Sequence, residues 1–209
     1  MNNSLDSHLS KVPVVAIIRG VTPDEVLDIG NAIYESGIRV IEVPLNSPEP
    51  FESIKRLSID LGEKCTIGCG TLLSKRDAKR VANAGGKIAV TPNTKPGVIK
   101  KCIELGMTPM PGWATPTEAF AAYNAGARHL KLFPASSFGS GHVKALKSVL
   151  PNDAQIFAVG GVGSHNAKEW LQAGIDGFGI GSDIYQAGSS ADEVYKRCLE
   201  IVNAIKAVS

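Results

Sequence analysis

The chain of 209 residues contains no run of eighteen apolar residues, so no membrane-spanning helix is expected. Its opening stretch, MNNSLDSHLSKVP, has neither the cationic start nor the apolar core of a signal peptide, and a cytoplasmic location is expected. Cysteine is sparse. Cys65, Cys69, Cys102 and Cys198 form no Cys-x-x-Cys pair and fit no zinc spacing, which points to free thiols in a reducing compartment. His8, His129, His142 and His165 are equally dispersed, so neither a metal site nor a cofactor is expected. An excess of one charge is also missing: 22 basic residues face 20 acidic ones without a basic tract. Neither nucleic acid nor an anionic membrane is therefore an expected partner. No low-complexity stretch or linker divides the chain, and 44% hydrophobic composition suffices for one large core, so residues 1–209 read as one domain with a short N-terminal extension.

What the chain does contain is alternation. Short β-branched runs at 13–19, 40–45, 66–71, 88–92, 108–112, 129–133, 156–160 and 177–181 are separated by helix-like segments. Gly37, Gly85, Gly106, Gly126 and Gly174 each close a helical segment shortly before a strand, where glycine supplies the left-handed helix cap. Thr22-Pro23-Asp24-Glu25 and Thr115-Pro116-Thr117-Glu118 read as helix starts. Val194, Cys198, Ile201 and Ile205 give the last segment one apolar face. Eight β/α units imply an α/β fold, a (β/α)8 TIM barrel, with a doubly wound open sheet as the competing arrangement.

Two strands break the apolar rule. Lys131 interrupts His-Leu-Lys-Leu-Phe-Pro and Glu42 interrupts Val-Ile-Glu-Val-Pro-Leu. Buried charges of this kind must be paired, neutralised or put to chemical use. Strand alternation places Leu130, Leu132, Ile41 and Val43 toward the helices, leaving His129, Lys131, Phe133, Val40 and Glu42 on the axis. The second and sixth strands stand opposite each other, so Glu42 and Lys131 can share an interior layer near the end where barrel enzymes keep their sites. Two readings follow: a structural ion pair plugging the barrel, or an amine nucleophile with its proton shuttle. The second requires Lys131 to lose its proton near neutral pH, which an apolar interior favours.

Other strand ends add candidates for binding. Gly160-Gly161 and Gly181-Ser182 close the last two strands, where barrels commonly hold phosphate on main-chain N–H groups; glycine there also makes plain turns. Arg19 and Thr71 could hold a carboxylate, or could merely pair with a loop acid and cap the next helix. Pro92 and Trp113, at the ends of the fourth and fifth strands, could be wall or contact.

Taken together, Ile-Ile-Arg19-Gly, Glu42-Val-Pro-Leu-Asn46-Ser-Pro, Gly-Cys-Gly-Thr71, Val-Thr-Pro92-Asn and Lys131-Leu-Phe-Pro-Ala-Ser-Ser-Phe-Gly resemble the 2-keto-3-deoxy-6-phosphogluconate / 4-hydroxy-2-oxoglutarate aldolase family, nearly end to end. The second and last of these motifs are most similar to its branch acting on 2-dehydro-3-deoxy-6-phosphogalactonate. That resemblance implies a metal-independent class I aldolase that releases pyruvate and glyceraldehyde 3-phosphate from a phosphorylated 2-oxo sugar acid. It implies Lys131 as Schiff-base residue, Glu42 as acid and base, Arg19 and Thr71 near the pyruvoyl carboxylate, the two glycine segments at the phosphate, and a homotrimer. Asn46 stands where the phosphogluconate branch carries arginine, which favours galactonate-type substrates. The alternatives are a phosphogluconate or hydroxy-oxoglutarate aldolase and a non-enzymatic phosphate-ligand barrel.

Overall fold

Nine short strands run parallel in a single sheet in the computed structural model, which describes residues 4–208. Residues 1–3 and 209 of the expected domain lie outside the described residues. The strands are β1 (Val14–Ile17), β2 (Val40–Pro44), β3 (Thr66–Gly70), β4 (Ile88–Val90), β5 (Thr108–Met110), β6 (Gly112–Trp113), β7 (His129–Leu132), β8 (Gln155–Val159) and β9 (Gly177–Ile180). Helices α1 (Ser4–Leu9), α2 (Val26–Glu35), α3 (Pro50–Leu61), α4 (Lys75–Asn83) and α5 (Pro96–Glu104) belong to the first half. The second half carries α6 (Pro116–Asn124), α7 (Ala135–Phe138), α8 (Ser140–Lys147), α9 (Ala167–Gln172) and α10 (Ala191–Lys206).

Every one of the eight expected strands is present, the fifth in two pieces. Hydrogen bonding orders the sheet β5-β4-β3-β2-β1-β9-β8-β7-β6, so its two ends are β5 and β6. These are halves of one strand broken at Pro111, a residue with no N–H to give to the ladder. Val90 pairs with Met110 on one side of the break and Gly112 with Lys131 on the other. The sheet therefore closes through that strand, and the open doubly wound alternative, which needs two free edges, is set aside.

The alternation read from the sequence sorts the two layers. Ile41, Val43, Leu130 and Leu132 belong to the large apolar layer between strands and helices. Val15, Val40, Ile88, Val90, Met110 and Phe157 fill the axis, joined by Leu5 and Leu9 from α1. The N-terminal extension is thus a plug for the bottom of the barrel. Its two leucines bury roughly 1.5–3 kcal/mol of apolar surface each, and polar bonds fix its angle: Asp6 to His129 Nε2 at 2.9 Å and His8 Nδ1 to Thr66 Oγ1 at 2.9 Å.

Local signals explain the joints. Gly37, Gly85, Gly106, Gly126 and Gly174 all adopt positive φ, between 72° and 105°, as a left-handed cap requires. Thr115 and Glu118 form a reciprocal capping box with Pro116 in the first turn of α6. The Thr22 signal differs. Glu25 turns back to accept from the Thr22 N–H and hydroxyl, closing a separate turn, and α2 begins only at Val26. Val194, Cys198, Ile201 and Ile205 are buried on α10 as their spacing predicts. Among the described residues no helix is long and apolar enough to cross a membrane.

Candidate active site

At the C-terminal end of the barrel lies a cavity of about 390 Å³. Arg19, Glu42, Thr71, Pro92, Lys131, Phe133, Gly160, Gly161, Gly181 and Ser182 all line it, so the residues singled out in the sequence converge on one place. Trp113 does not. Its side chain faces the helix layer and stacks on His142 at 5.8 Å between ring centroids.

The space exists because of glycines. On β3 and β9 the residues facing the axis above the plug are Gly68, Gly70, Gly177 and Gly179; a Cβ on Gly177 or Gly179 would strike Phe157 at 2.4 Å or Val159 at 2.7 Å. A Cβ on Gly70 would fall 2.0 Å from Glu42 Oε2, inside the carboxylate itself. Removing side chains from these strands leaves room for Glu42 and Lys131 from the strands between.

Glu42 is only 2% and Lys131 only 6% exposed, and this decides their chemistry. Burial pushes the Glu42 carboxyl up from 4.5 to about 7, against the opposing pull of the Lys131 and Arg19 charges. Lys131 moves the other way: burial lowers its pKa, the Glu42 charge resists, and Arg19 adds to the lowering. Each group is thus drawn toward its neutral form. Lys131 Nζ stands 4.5 Å from the centroid of the Phe133 ring, whose face favours the ammonium and works against that trend. Glu42 Oε2 is buried with no hydrogen-bond partner, a carboxyl oxygen open to a proton.

Arg19 and Thr71 stand together above this pair. The guanidinium donates from Nη1 to Asn46 Oδ1 and, at 3.4 Å, to Thr71 Oγ1. Both partners are neutral, leaving the arginine charge available to a ligand anion. Thr71 does not cap the next helix; Ser74 does, accepting from the Asp77 N–H. Instead Thr71 sits at φ 56°, an uncommon conformation for a β-branched residue and a costly one.

Around the rim, Gly160 and Gly161 adopt φ of 94° and 71°, and a Cβ on Gly161 would meet Ser136 at 2.7 Å. Sequence reasoning missed Ile17, Val159, Val162, Gly179, His165, Asp183 and Tyr185, which complete the lining. Two signals were available: Asp183 directly follows Gly181-Ser182, with Tyr185 two residues beyond it, and His165 lies five residues past Gly160. Tyr185 donates to Glu25 Oε1 at 3.1 Å, tying the last loop to the turn after β1.

The four cysteines are buried and unpaired, and burial raises the thiols of Cys65 and Cys102 to about 11 and that of Cys198 to about 12. All four pack in the apolar layer between strands and helices. Among the described residues no three His, Cys, Asp or Glu side chains gather into a group that could hold a metal ion.

Comparison with known proteins agrees with this geometry. Residues 5–200 match the family model "Aldolase: KDPG and KHG aldolase". A 2-dehydro-3-deoxy-6-phosphogalactonate aldolase of Escherichia coli (strain K12) is 44% identical over 197 residues, 94% of this chain and 96% of that protein. A solved structure described as "Native KDPGal structure" superposes with a TM-score of 0.93 at 44% identity, covering 95% of this chain and 96% of that one. A cage subunit, described as designed by fusing symmetric oligomeric domains, superposes with a TM-score of 0.92 at 44% identity over 93% of this chain and 72% of its own. The family match spans almost the whole barrel and every strand that feeds the cavity: the chain belongs to the KDPG and KHG aldolase family, the class I aldolases that work through a Schiff base without a metal.

Proposed function

We propose that the chain cleaves 2-dehydro-3-deoxy-6-phosphogalactonate to pyruvate and glyceraldehyde 3-phosphate, with Lys131 as nucleophile and Glu42 as acid and base. The observation that carries this reading is the placement of a buried amine and a buried carboxyl in one cavity, each shifted toward neutrality by burial. A neutral amine attacks the C2 ketone, and loss of water leaves an iminium that accepts the electrons of the C3–C4 bond. Glu42 takes the proton from the C4 hydroxyl as that bond breaks, the aldehyde departs, and the same carboxyl returns a proton to C3 of the enamine. A carboxyl at about 7 can both accept and give a proton near neutral pH. Hydrolysis of the pyruvate imine frees Lys131.

Arg19 and Thr71 orient the pyruvoyl carboxylate in this scheme; Gly160, Gly161, Gly181 and Ser182 hold the phosphate on main-chain N–H groups, with Pro92 and Phe133 as walls. Asn46, bonded to Arg19, stands where the resemblance puts an arginine in the phosphogluconate branch, which supports the galactonate epimer, as does the name of the 44% identical relative. A homotrimer is supported by the family resemblance and by the likeness to a subunit built from symmetric oligomeric domains. The unpaired cysteines support a cytoplasmic location.

The test is borohydride reduction in the presence of pyruvate, read by peptide mass spectrometry. We expect one adduct, at Lys131, absent from Lys131→Ala; an adduct persisting on another lysine overturns the assignment. Assay of the two C4 epimers side by side should favour the galactonate form, and equal or greater turnover of the gluconate form refutes the substrate.

A further inference from the structure

At the glycine-lined rim the side-chain charges do not suit a phosphate as they stand. Asp183 follows Ser182 directly and lines the same cavity. Its carboxylate tucks beneath the loop after β8, where a Cβ on Gly163 would lie 2.1 Å from Asp183 Oδ2. A phosphate monoester, with a second pKa of about 6, arrives mainly as a dianion at neutral pH. It would meet a like charge.

One side chain at that end can reverse the balance. His165 lines the cavity, with Nδ1 3.9 Å from Asp183 Oδ2 and about two thirds of its side chain exposed. The other cations of the lining, Arg19 and Lys131, belong to the pyruvoyl end. We propose that His165 is a phosphate-recognition residue, its imidazolium offsetting Asp183 and contacting the substrate phosphate, so that it sets the preference for phosphorylated over unphosphorylated 2-oxo acids. This rests on the aldolase reading above and adds a specificity determinant that the backbone glycines cannot supply, because N–H groups carry no net charge to set against Asp183.

The groups facing His165 are few. Asp183 is nearest; Arg19, Glu42, Lys131 and Tyr185 line the cavity walls beyond it. On the far side, Arg197 and Glu200 of α10 line a neighbouring cavity that shares Ser182 and Asp183, with Glu200 accepting from Ser164 at 2.8 Å.

The experiment compares kcat/KM for the phosphorylated substrate with that for the same 2-oxo acid lacking phosphate, in the wild type and in His165→Asn at one pH. Taking the ratio cancels effects on Lys131 and Glu42, which serve both substrates. In His165→Asn the ratio should fall about fivefold, carried by KM for the phosphorylated substrate and not by kcat. A large ratio that His165→Asn leaves unchanged overturns the role of His165 while leaving phosphate recognition by the glycines standing. A ratio near one throughout removes the phosphate-end reading and this proposal with it.

Discussion

Replacing Glu42 by glutamine should make the protein more stable, and by an amount that depends on pH in a defined direction. The Glu42 carboxyl moves from 4.5 to about 7 on folding because burial penalises its charge. Between those values the unfolded chain has released the proton and the folded chain still holds it. Stability therefore falls as pH rises through this window, and the loss is complete above about 7. At about 1.4 kcal/mol per pH unit, the window amounts to about 3 kcal/mol, a large share of the 5–15 kcal/mol typical of a folded domain. Glutamine keeps the shape and carries no such penalty. Urea unfolding at fixed protein concentration, from about pH 4.5 to about 8, should show Glu42→Gln gaining on the wild type by about 3 kcal/mol, all of it inside the window. Lys131→Met should push the wild-type window to higher pH, because the lysine charge is what holds the carboxyl down. Parallel stability curves for wild type and Glu42→Gln across the window would refute the claim that burial, and not pairing, sets this group.

Two other substitutions probe the site from its backbone. Gly70→Ala places a methyl where the Glu42 carboxylate now lies; kcat should fall by about 10²-fold while pyruvate trapping at Lys131 persists, and ordinary turnover would show that Glu42 can work from elsewhere. Thr71→Gly releases a left-handed β-branched residue worth about 1–2 kcal/mol of strain, partly offset by the greater freedom of glycine in the unfolded chain. It should raise stability by up to about 1 kcal/mol and raise KM about tenfold through loss of the hydroxyl beside Arg19. Clear destabilisation on thermal unfolding would show that the strain is not there.

Much of this was legible before any coordinates. The β/α alternation, the glycine caps and the two charges set in apolar strands are local signals, fixed by backbone sterics and by the cost of burying a charge, and those features reappear where the sequence puts them. Because side chains alternate along a strand with period two, one sequence also determined which residues face the axis, and so that Glu42 and Lys131 share it. Other features had no local trace. That α1 plugs the barrel depends on Leu5, Asp6 and His8 meeting Val40, His129 and Thr66, partners 35, 123 and 58 residues away. The break at Pro111 closes the sheet only because its halves pair with different neighbours. Gly68, Gly70, Gly177 and Gly179 read in sequence only as members of the third and eighth strand runs; in the barrel they are vacated wall positions that leave the reactive pair its room. His165, passed over as one histidine among four, gained meaning only when the last two loops came together beside Asp183. Periodicity and burial cost belong to the chain itself, whereas the volume of a cavity and the charge around it are sums over distant segments and exist only once those segments meet.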